Sequence, residues 1–325
     1  MSGQALAQVT RPAGQLAELQ ELDGLLRDYL AESMAPNTIR AYRSDWAHFV
    51  TWCEGHGVSP LPAAPDTVAY YVTALSETHA PATLTRRTSA IAHAHAAAGH
   101  ESPTHSLLVR KALSGIRRRQ GTAPDAAAAV TVADLQAVTG AHLPAGAKGT
   151  RDRALLLVGF AGGFRRSELV GIDVDHVEFV SEGVVILLPR SKTDQEGQGR
   201  KVAIPFGAHE DTCPVRALRA WLAAAGIEDG PVFRPVNRHG QIGAARLSGR
   251  GVALVVKRYI GALGKDTAAY SGHSLRAGFC TAAARGGALS RDIMRQTGHK
   301  SEAMVQRYIR DGNAFVNNAA GVIGL

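Results

Sequence analysis

One stretch of this chain has a different periodicity from the sequence around it. Residues 177–205, VEFVSEGVVILLPRSKTDQEGQGRKVAIP, contain two β-branched runs that flank Ser-Glu-Gly, followed by a glycine-rich turn and a third run. Runs separated by short turn segments predict strands that pair with their neighbours as an antiparallel meander. Because the remainder has helical spacing or loop composition, the chain is predicted to be mainly α-helical, with one small antiparallel three-stranded sheet.

The apolar residues of the first half recur at spacings of three and four, which is typical of amphipathic helices. Asn37 or Thr38 is a candidate cap of the second helix, and Asp66 of the third. The pattern predicts a helical bundle over residues 16–119, preceded by a flexible arm at residues 1–15. The residues predicted to face inward are Leu19, Leu22, Leu26, Tyr29, Leu30, Ile39, Tyr42, Trp46, Phe49, Val50, Val68, Tyr71, Val72, Leu75, Leu84, Ile91 and Ala98.

A polar and alanine-rich segment without apolar periodicity separates the two halves. It predicts a linker at residues 120–129 and a second domain at residues 130–325. Thr131 is a candidate helix cap, and the helix around RDRALLLVGFAGG is apolar enough to be core. Pro214 is predicted to begin another helix, which carries Leu218, Trp221 and Leu222. The chain is thus expected to have two domains.

The charge distribution favours a polyanionic partner. The net charge is +8 and the sequence pI is about 9.7. Residues 1–127 hold equal numbers of basic and acidic residues, so the whole excess lies in residues 128–325, next to a basic run at residues 110–119.

Cysteine usage and the N-terminus indicate a protein of the cytoplasm. Three scattered cysteines exclude a disulfide framework and a cysteine zinc site. The start, MSGQALAQVTRPAG, lacks the basic and apolar parts of a signal peptide. No apolar run approaches the roughly 20 residues that a membrane span needs.

Four motifs in the second half carry side chains suited to catalysis. Taken singly, each has a simpler explanation: a surface ion pair, a solvated lysine at a turn, or an aromatic residue that anchors a last helix. Their joint occurrence calls for a common explanation. They are AGGFRRSELVGI with Arg165 and Glu168, PRSKTDQEG with Lys192, SGHSLRAGF with His273 and Arg276, and TGHKSEAMVQRY with His299 and Tyr308.

Two arginines, two histidines and a lysine around a tyrosine suit phosphoryl transfer. Guanidinium groups clamp phosphate oxygens and stabilise the charge of the transition state. A tyrosine hydroxyl can attack phosphorus, and a lysine can protonate the leaving oxygen. The motifs lack both an acidic cluster for Mg²⁺ and a Gly-x-x-x-x-Gly-Lys loop. The expected reaction therefore needs no metal and no cofactor.

In their order and spacing, these motifs resemble the signature of tyrosine recombinases of the phage integrase family. That signature consists of an arginine, a hairpin lysine, a His-x-x-Arg, a Gly-His and a final tyrosine. In this chain they correspond, in that order, to GFRRSEL, RSKTD, HSLR, TGH and RYI. The likeness covers residues 16–325 and is strongest to Cre-type members in RSDWAHFVTWC, YSGHSLRAG and YIRD. It implies an N-terminal SAM-like, core-binding helical domain and a catalytic C-terminal domain that close around DNA.

The resemblance also implies a role for each motif residue. Arg165 is preferred to Arg166 because it alone satisfies both the Gly-x-Arg and the Arg-x-Ser-Glu spacing. Lys192 is preferred to Lys201, which lies on the returning strand. The implied roles are a phosphate clamp for Arg165 and Arg276, phosphate binding and proton transfer for His273, pocket support for His299, protonation of the 5′ oxygen for Lys192, the 3′-phosphotyrosyl bond for Tyr308, and orientation of the site for Glu168.

Double-stranded DNA with inverted-repeat sites is the implied partner. Helices of similar proteins enter the major groove, and linker arginines cross phosphates. Solvated helix charge is the alternative for each such residue. The predicted DNA contacts are Arg40, Arg43, Thr83, Arg86, Arg87, Arg117, Arg118, Arg119 and Arg250.

The apolar tail DGNAFVNNAAGVIGL is expected to dock on a neighbouring subunit. The protein would then be a monomer in solution and a homotetramer on two DNA sites. Packing of the tail on its own domain is the alternative.

The implied activity is site-specific DNA recombination through a phosphotyrosyl intermediate and a Holliday junction. Two alternatives stay open: a catalytically silent DNA-binding relative, and a strand relaxer similar to type IB topoisomerases. The full set of catalytic residues argues against the first. The apolar tail favours recombination over relaxation.

Overall fold

The computed structural model describes residues 34–121, 127–189 and 199–312. The chain separates into two compact units, Met1–Pro124 and Asp125–Leu325. Several predictions concern parts outside the described residues: the arm, the first helix, the middle of the linker, Lys192 and the apolar tail.

The first unit is a helical bundle. Its described helices are α1 (Pro36–Gly55), α2 (Pro65–Leu75), α3 (Pro81–Ala97) and α4 (Leu107–Gln120). The predicted caps at Asn37, Thr38 and Asp66 are wrong, because proline occupies the first helical position of α1 and α2 and these residues fall inside the first turn. Proline suits that position, since its fixed φ is helical and the missing N–H has no partner there.

The bundle core follows the predicted apolar spacing. Phe49, Val68, Tyr71, Leu84 and Ile91 are fully buried. Trp46 of α1 packs at the edge of this core, and the other predicted side chains of α1 are partly buried. Ala98 is exposed, contrary to the prediction, because α3 ends one residue before it.

The second unit combines helices with the sheet. Thr131 caps the first helix as predicted, since its hydroxyl accepts a hydrogen bond from the Asp134 backbone N–H. Pro214 begins a helix as predicted, with Leu218 and Trp221 buried. The helices are α5 (Val132–Ala137), α6 (Ala147–Ala161), α7 (Arg166–Val170), α8 (Pro214–Ala225), α9 (Gly249–Ala262), α10 (Ser274–Arg285), α11 (Ser290–Thr297) and α12 (Glu302–Gly312).

The predicted three-stranded antiparallel sheet is confirmed. Strands β1 (Val177–Phe179), β2 (Gly183–Leu188) and β3 (Arg200–Pro205) pair in the order β1-β2-β3. Leu188 pairs with Arg200, so these two residues form the last described pair before the connection that carries Lys192 in the sequence.

The core of the second unit includes residues of α6, the sheet and α8. Residues 154–158 of α6 are buried, as the apolar sequence predicts, and pack with Ile186 of β2, Ile204 of β3 and Trp221 of α8. The chain is therefore mainly α-helical with one small sheet, as predicted. In the described ranges, no helix combines the length and the apolar character needed to cross a membrane.

Candidate active site

Arg165 and Glu168 form a buried pair at the start of α7. Glu168 Oε2 accepts a hydrogen bond from the Arg165 backbone N–H at 2.8 Å, and its Oε1 accepts one from Arg165 Nη1 at 2.5 Å. Glu168 is 5% exposed, and the Arg165 side chain is 14% exposed. A surface ion pair is therefore excluded, because the carboxylate is buried and holds the arginine through both backbone and side chain.

Arg276 of α10 is a fully buried arginine with unused donors. Its Nη1 donates to the carbonyls of Gly163 at 2.7 Å and Thr297 at 2.6 Å. Its Nε and Nη2 are buried and have no hydrogen-bond partner among the described residues. Burial, reinforced by the nearby charge of Arg165, lowers the pKa of Arg276 to about 10. Spare donors on a buried cation suit a ligand that is an oxyanion.

The C-terminal end of α11 brings the two arginines together. Thr297 accepts from Arg276, and the next carbonyl, that of Gly298, accepts from Arg165 Nη2 at 3.5 Å. Gly298 has a φ of +70°, which favours glycine and turns the chain sharply toward His299. The motifs AGGFRRSEL, SGHSLRAGF and TGHKSE, more than 100 residues apart at the extremes, thus meet at one point.

His299 is held in one tautomer. The Thr297 hydroxyl donates to the Ile293 carbonyl at 2.6 Å, so it accepts from His299 Nδ1 at 2.7 Å. In the neutral ring the proton is therefore on Nδ1, and Nε2 is an acceptor. Burial, and then the charges of Arg276 and Arg165, lower the pKa of His299 to about 3. Donation from Nε2 to a phosphate oxygen thus requires the ring to take up a second proton.

His273 stands at the N-terminal end of α10 and remains accessible to solvent. Its backbone N–H donates to the Ser271 hydroxyl at 3.1 Å, which fixes the turn into the helix. Partial withdrawal from water lowers its pKa, and the charges of Arg276, Arg165 and Arg166 act in the same direction. A neutral imidazole open to solvent can accept a proton, as a general base must.

Tyr308 of α12 both packs and faces the site. Its ring centroid lies 6.1 Å from that of His299, with the planes inclined at 38°. The side chain is half-buried and contacts a small apolar cluster. That cluster consists of Cys280, Ala284, Ile293 and Val305. Packing and a position beside the histidine are therefore compatible in this tyrosine.

Arg200, the first residue of β3, lies beside Glu168 and the end of α11. It was not among the predicted site residues. Its Nη2 lies 3.4 Å from Glu168 Oε2, and its Nη1 donates to the Gln296 carbonyl. Burial lowers its pKa, opposed by the charge of Glu168 and reinforced by that of Arg165. The sequence signal was available, because β alternation directs Arg200 and Lys201 to opposite faces of the strand.

The two alternatives to the predicted residues, Lys201 and Arg166, are both exposed. Lys192 is outside the described residues. Lys201 is exposed on β3. Arg166 is exposed, and the stem of its side chain packs against the backbones of Gly249 and Gly272. Across the described parts of the chain, no three His, Cys, Asp or Glu side chains form a group that could hold a metal ion.

Most of the predicted DNA-contact residues are accessible. Thr83 is partly buried. The exposed residues are Arg40 and Arg43 on α1, Arg86 on α3, Arg117, Arg118 and Arg119 on α4, and Arg250 on α9. Arg86 is also held by Asp45 at 3.2 Å.

Arg87 departs from the DNA-contact prediction. It is 9% exposed, and its Nη1 donates to the Tyr71 hydroxyl at 2.6 Å. Its Nε lies 3.9 Å from Asp45. The helical spacing placed Arg87 beside Arg86, but one residue is a turn of about 100° on a helix, which carries Arg87 into the bundle. A structural role in the first unit replaces the predicted contact.

Substitution of the two neighbours should separate their roles. We expect Arg87→Ala to lower the free energy of unfolding by about 2 kcal/mol, because it removes a buried side chain together with its hydrogen bond to the Tyr71 hydroxyl. Arg86→Ala should lower it by less than about 1 kcal/mol, since that side chain is half exposed. Urea unfolding of both variants measures the difference; equal losses would contradict the assignment.

Acid should destabilise the second unit through His299. Between pH 6.5, the ordinary pKa, and about 3, the unfolded chain binds a proton at this ring that the folded chain does not bind. The free energy of unfolding therefore falls as the pH drops through that window. His299→Asn keeps a donor for Thr297 and does not titrate, so its unfolding should depend less on pH. Urea unfolding at several pH values tests this, and an unchanged slope would contradict it.

Comparison with known proteins agrees with this geometry. The model of the Phage integrase family matches residues 132–314, and that of the phage integrase N-terminal SAM-like domain matches residues 22–102. An integrase/recombinase XerD homologue of Selenomonas ruminantium is 43% identical over 293 residues, which cover 89% of this chain and 86% of that protein.

Two solved structures share the fold. XerH site-specific recombinase in a post-cleavage complex with difH substrate has a TM-score of 0.62 at 15% identity, covering 81% of this chain and 73% of that one. A lambda integrase dimer bound to a core site has a TM-score of 0.60 at 16% identity, covering 91% and 96%. The family matches over both units and the 43% identical relative establish that the chain belongs to the phage integrase family and is a tyrosine recombinase.

Proposed function

We propose that the protein recombines DNA at specific sites by forming a 3′-phosphotyrosyl bond at Tyr308 and passing through a Holliday junction. The observation that carries the proposal is the convergence of Arg165 and Arg276 at the end of α11, beside His299 and Tyr308. A buried guanidinium with spare donors next to a tyrosine is suited to bind and attack a phosphodiester.

In the proposed reaction, the two arginines bind the non-bridging oxygens of the scissile phosphate. Their charge offsets the negative charge that builds up on those oxygens in the transition state. Both guanidinium groups are held by protein acceptors before substrate arrives, so little reorganisation is needed. Glu168 orients Arg165 from the buried side.

The Tyr308 oxygen attacks phosphorus as its proton passes to His273. The bond from phosphorus to the 5′ oxygen breaks, and that oxygen takes a proton from Lys192. The reverse reaction, attack by a 5′ hydroxyl on the phosphotyrosine, rejoins a strand and regenerates the tyrosine. One phosphodiester is broken for each one formed, so the proposed reaction consumes no ATP and uses no metal.

His299 acts on the phosphate in its doubly protonated form. The neutral tautomer presents only an acceptor at Nε2, which an anionic oxygen repels. A phosphate next to Nε2 raises the pKa of the ring and favours that second proton. We therefore propose that DNA binding charges His299.

Both units are proposed to contact double-stranded DNA at inverted repeats. The exposed arginines of α1, α3, α4 and α9 supply the positive surface, Arg86 being aimed by Asp45. Four copies on two sites form the proposed synapse in the cytoplasm, assembled from monomers. Affinity should fall steeply as salt rises, as for other proteins that contact phosphates.

Covalent capture tests the activity. The wild-type protein is mixed with nicked duplexes that carry random half-sites, in the presence of EDTA. Adducts that survive detergent are recovered and sequenced to obtain the cognate site. The proposal predicts such adducts; their absence would favour the silent DNA-binding relative. Joint molecules between two sites then distinguish recombination from relaxation of supercoils by a topoisomerase-like enzyme.

Loss of the apolar tail should abolish synapsis. Removal of residues 314–325, which lie outside the described ranges, is expected to leave binding to one half-site intact, because the proposed DNA contacts are elsewhere. Paired-site complexes should disappear in gel-shift assays. A truncated protein that still carries out full recombination would exclude tail exchange.

A further inference from the structure

We propose that Arg200 is a positioning residue that ties the base of the β2–β3 hairpin to the phosphate-binding arginines. It thereby sets protonation of the leaving 5′ oxygen. This inference rests on the proposed function, in which Lys192 of the hairpin connection protonates that oxygen. Arg200 is not assigned a contact with DNA.

Arg200 joins three segments of the second unit. Its strand is β3, its Nη2 lies 3.4 Å from Glu168 of α7, and its Nη1 donates to the carbonyl of Gln296 in α11. The guanidinium also packs against Gly298, where an added Cβ would lie 3.0 Å from Arg200 Nε. The hairpin strand is thereby fixed to the same carboxylate and the same helix end that hold the catalytic arginines.

The position of the hairpin strand depends on Arg200 more than the position of the Arg165 side chain does. Arg165 keeps two hydrogen bonds to Glu168 that do not involve Arg200. Further along β3, Gln296 Nε2 donates to the Ala203 carbonyl at 3.1 Å, so the far end of the strand has its own anchor. The near end is held by the Leu188 pair and by Arg200. Loss of Arg200 should therefore loosen the end of β3 that adjoins the connection carrying Lys192.

The defect expected from loss of Arg200 is therefore in one chemical step, the protonation of the leaving 5′ oxygen. Breaking the bond to the 5′ oxygen requires a proton for that oxygen, whereas a 5′ sulfur leaves as a thiolate without one. A substrate with sulfur at the bridging 5′ position thus bypasses the proton donor. It still requires the arginine clamp and the nucleophile.

The test uses the duplex selected by covalent capture, made with either oxygen or sulfur at the scissile 5′ position. Cleavage by Arg200→Ala should be about 100-fold slower than wild type on the oxygen substrate, within the range of general acid catalysis. On the sulfur substrate its rate should return to the wild-type rate. Arg200→Lys should be intermediate on oxygen, because one ammonium cannot reach both acceptors in the geometry of a planar fork.

Three further variants, tested on the same two substrates, serve as controls for Arg200→Ala. Lys192→Ala should show the same rescue by sulfur, and Arg276→Lys should not. Lys201→Ala, the exposed next residue of β3, should cleave both substrates at the wild-type rate. A slow Arg200→Ala on both substrates, or a normal rate on oxygen, would overturn the inference while the wild-type adduct upholds the proposed function. Absence of any wild-type adduct would overturn both.

Discussion

Tyr308→Phe should bind its DNA site as the wild type does and never become attached to it. The substitution removes one oxygen and keeps the ring that packs against Cys280 and Val305. The free energy of unfolding should therefore change by less than about 1 kcal/mol. Gel shift measures binding, and gel electrophoresis in detergent measures the covalent adduct.

Tyr270→Phe is the matched control. Tyr270 is another half-buried tyrosine of the second unit, and it packs against the main core of that unit. Its loss of a hydroxyl should leave adduct formation unchanged. A Tyr308→Phe protein that still forms the adduct would exclude Tyr308 as nucleophile and with it the proposed reaction.

Arg276→Lys should slow DNA cleavage by at least about 100-fold, as expected for removal of a preorganised donor to the transition state. Lysine keeps the charge, but its single ammonium cannot bond the Gly163 and Thr297 carbonyls and also present two donors to a phosphate. Single-turnover cleavage of the selected duplex measures the rate. DNA affinity should change far less, because many other contacts contribute to it.

Arg285→Lys provides the control on the same helix. Arg285 is exposed in the last turn of α10. Because lysine preserves its charge and its solvation, cleavage should match the wild type. Equal losses in the two variants would mean that the arginines of α10 act through general charge and not through the geometry of the clamp.

Sequence spacing sufficed for features that depend on local chemistry. Alternating β-branched runs gave the three strands, and Thr131 and Pro214 marked helix starts because a hydroxyl cap and a proline act on the first turn alone. The same reasoning predicted α1 and α2 but misplaced their caps at Asn37 and Asp66, two residues after the observed N-caps, because proline occupies the first helical position.

Features that depend on contacts between distant segments could not be predicted from the sequence. Arg87 and Arg86 are neighbours with similar chemistry, and only the packing of α2 on α3 places Arg87 beside Tyr71, whereas Arg86 stays half exposed next to Asp45. Arg200 became part of the site through Glu168 and Gln296, which are 32 and 96 residues away in the chain. The tautomer of His299 depends on a single carbonyl of α11.

The chemical identity of the DNA–protein bond shows directly whether Tyr308 is the nucleophile. After covalent capture, the adduct is digested with nuclease and protease, and its peptides are sequenced by mass spectrometry. We expect one modified peptide, with the nucleotide attached through its 3′ phosphate to the phenolic oxygen of Tyr308. A nucleotide on any other side chain, or a linkage through a 5′ phosphate, would contradict this expectation.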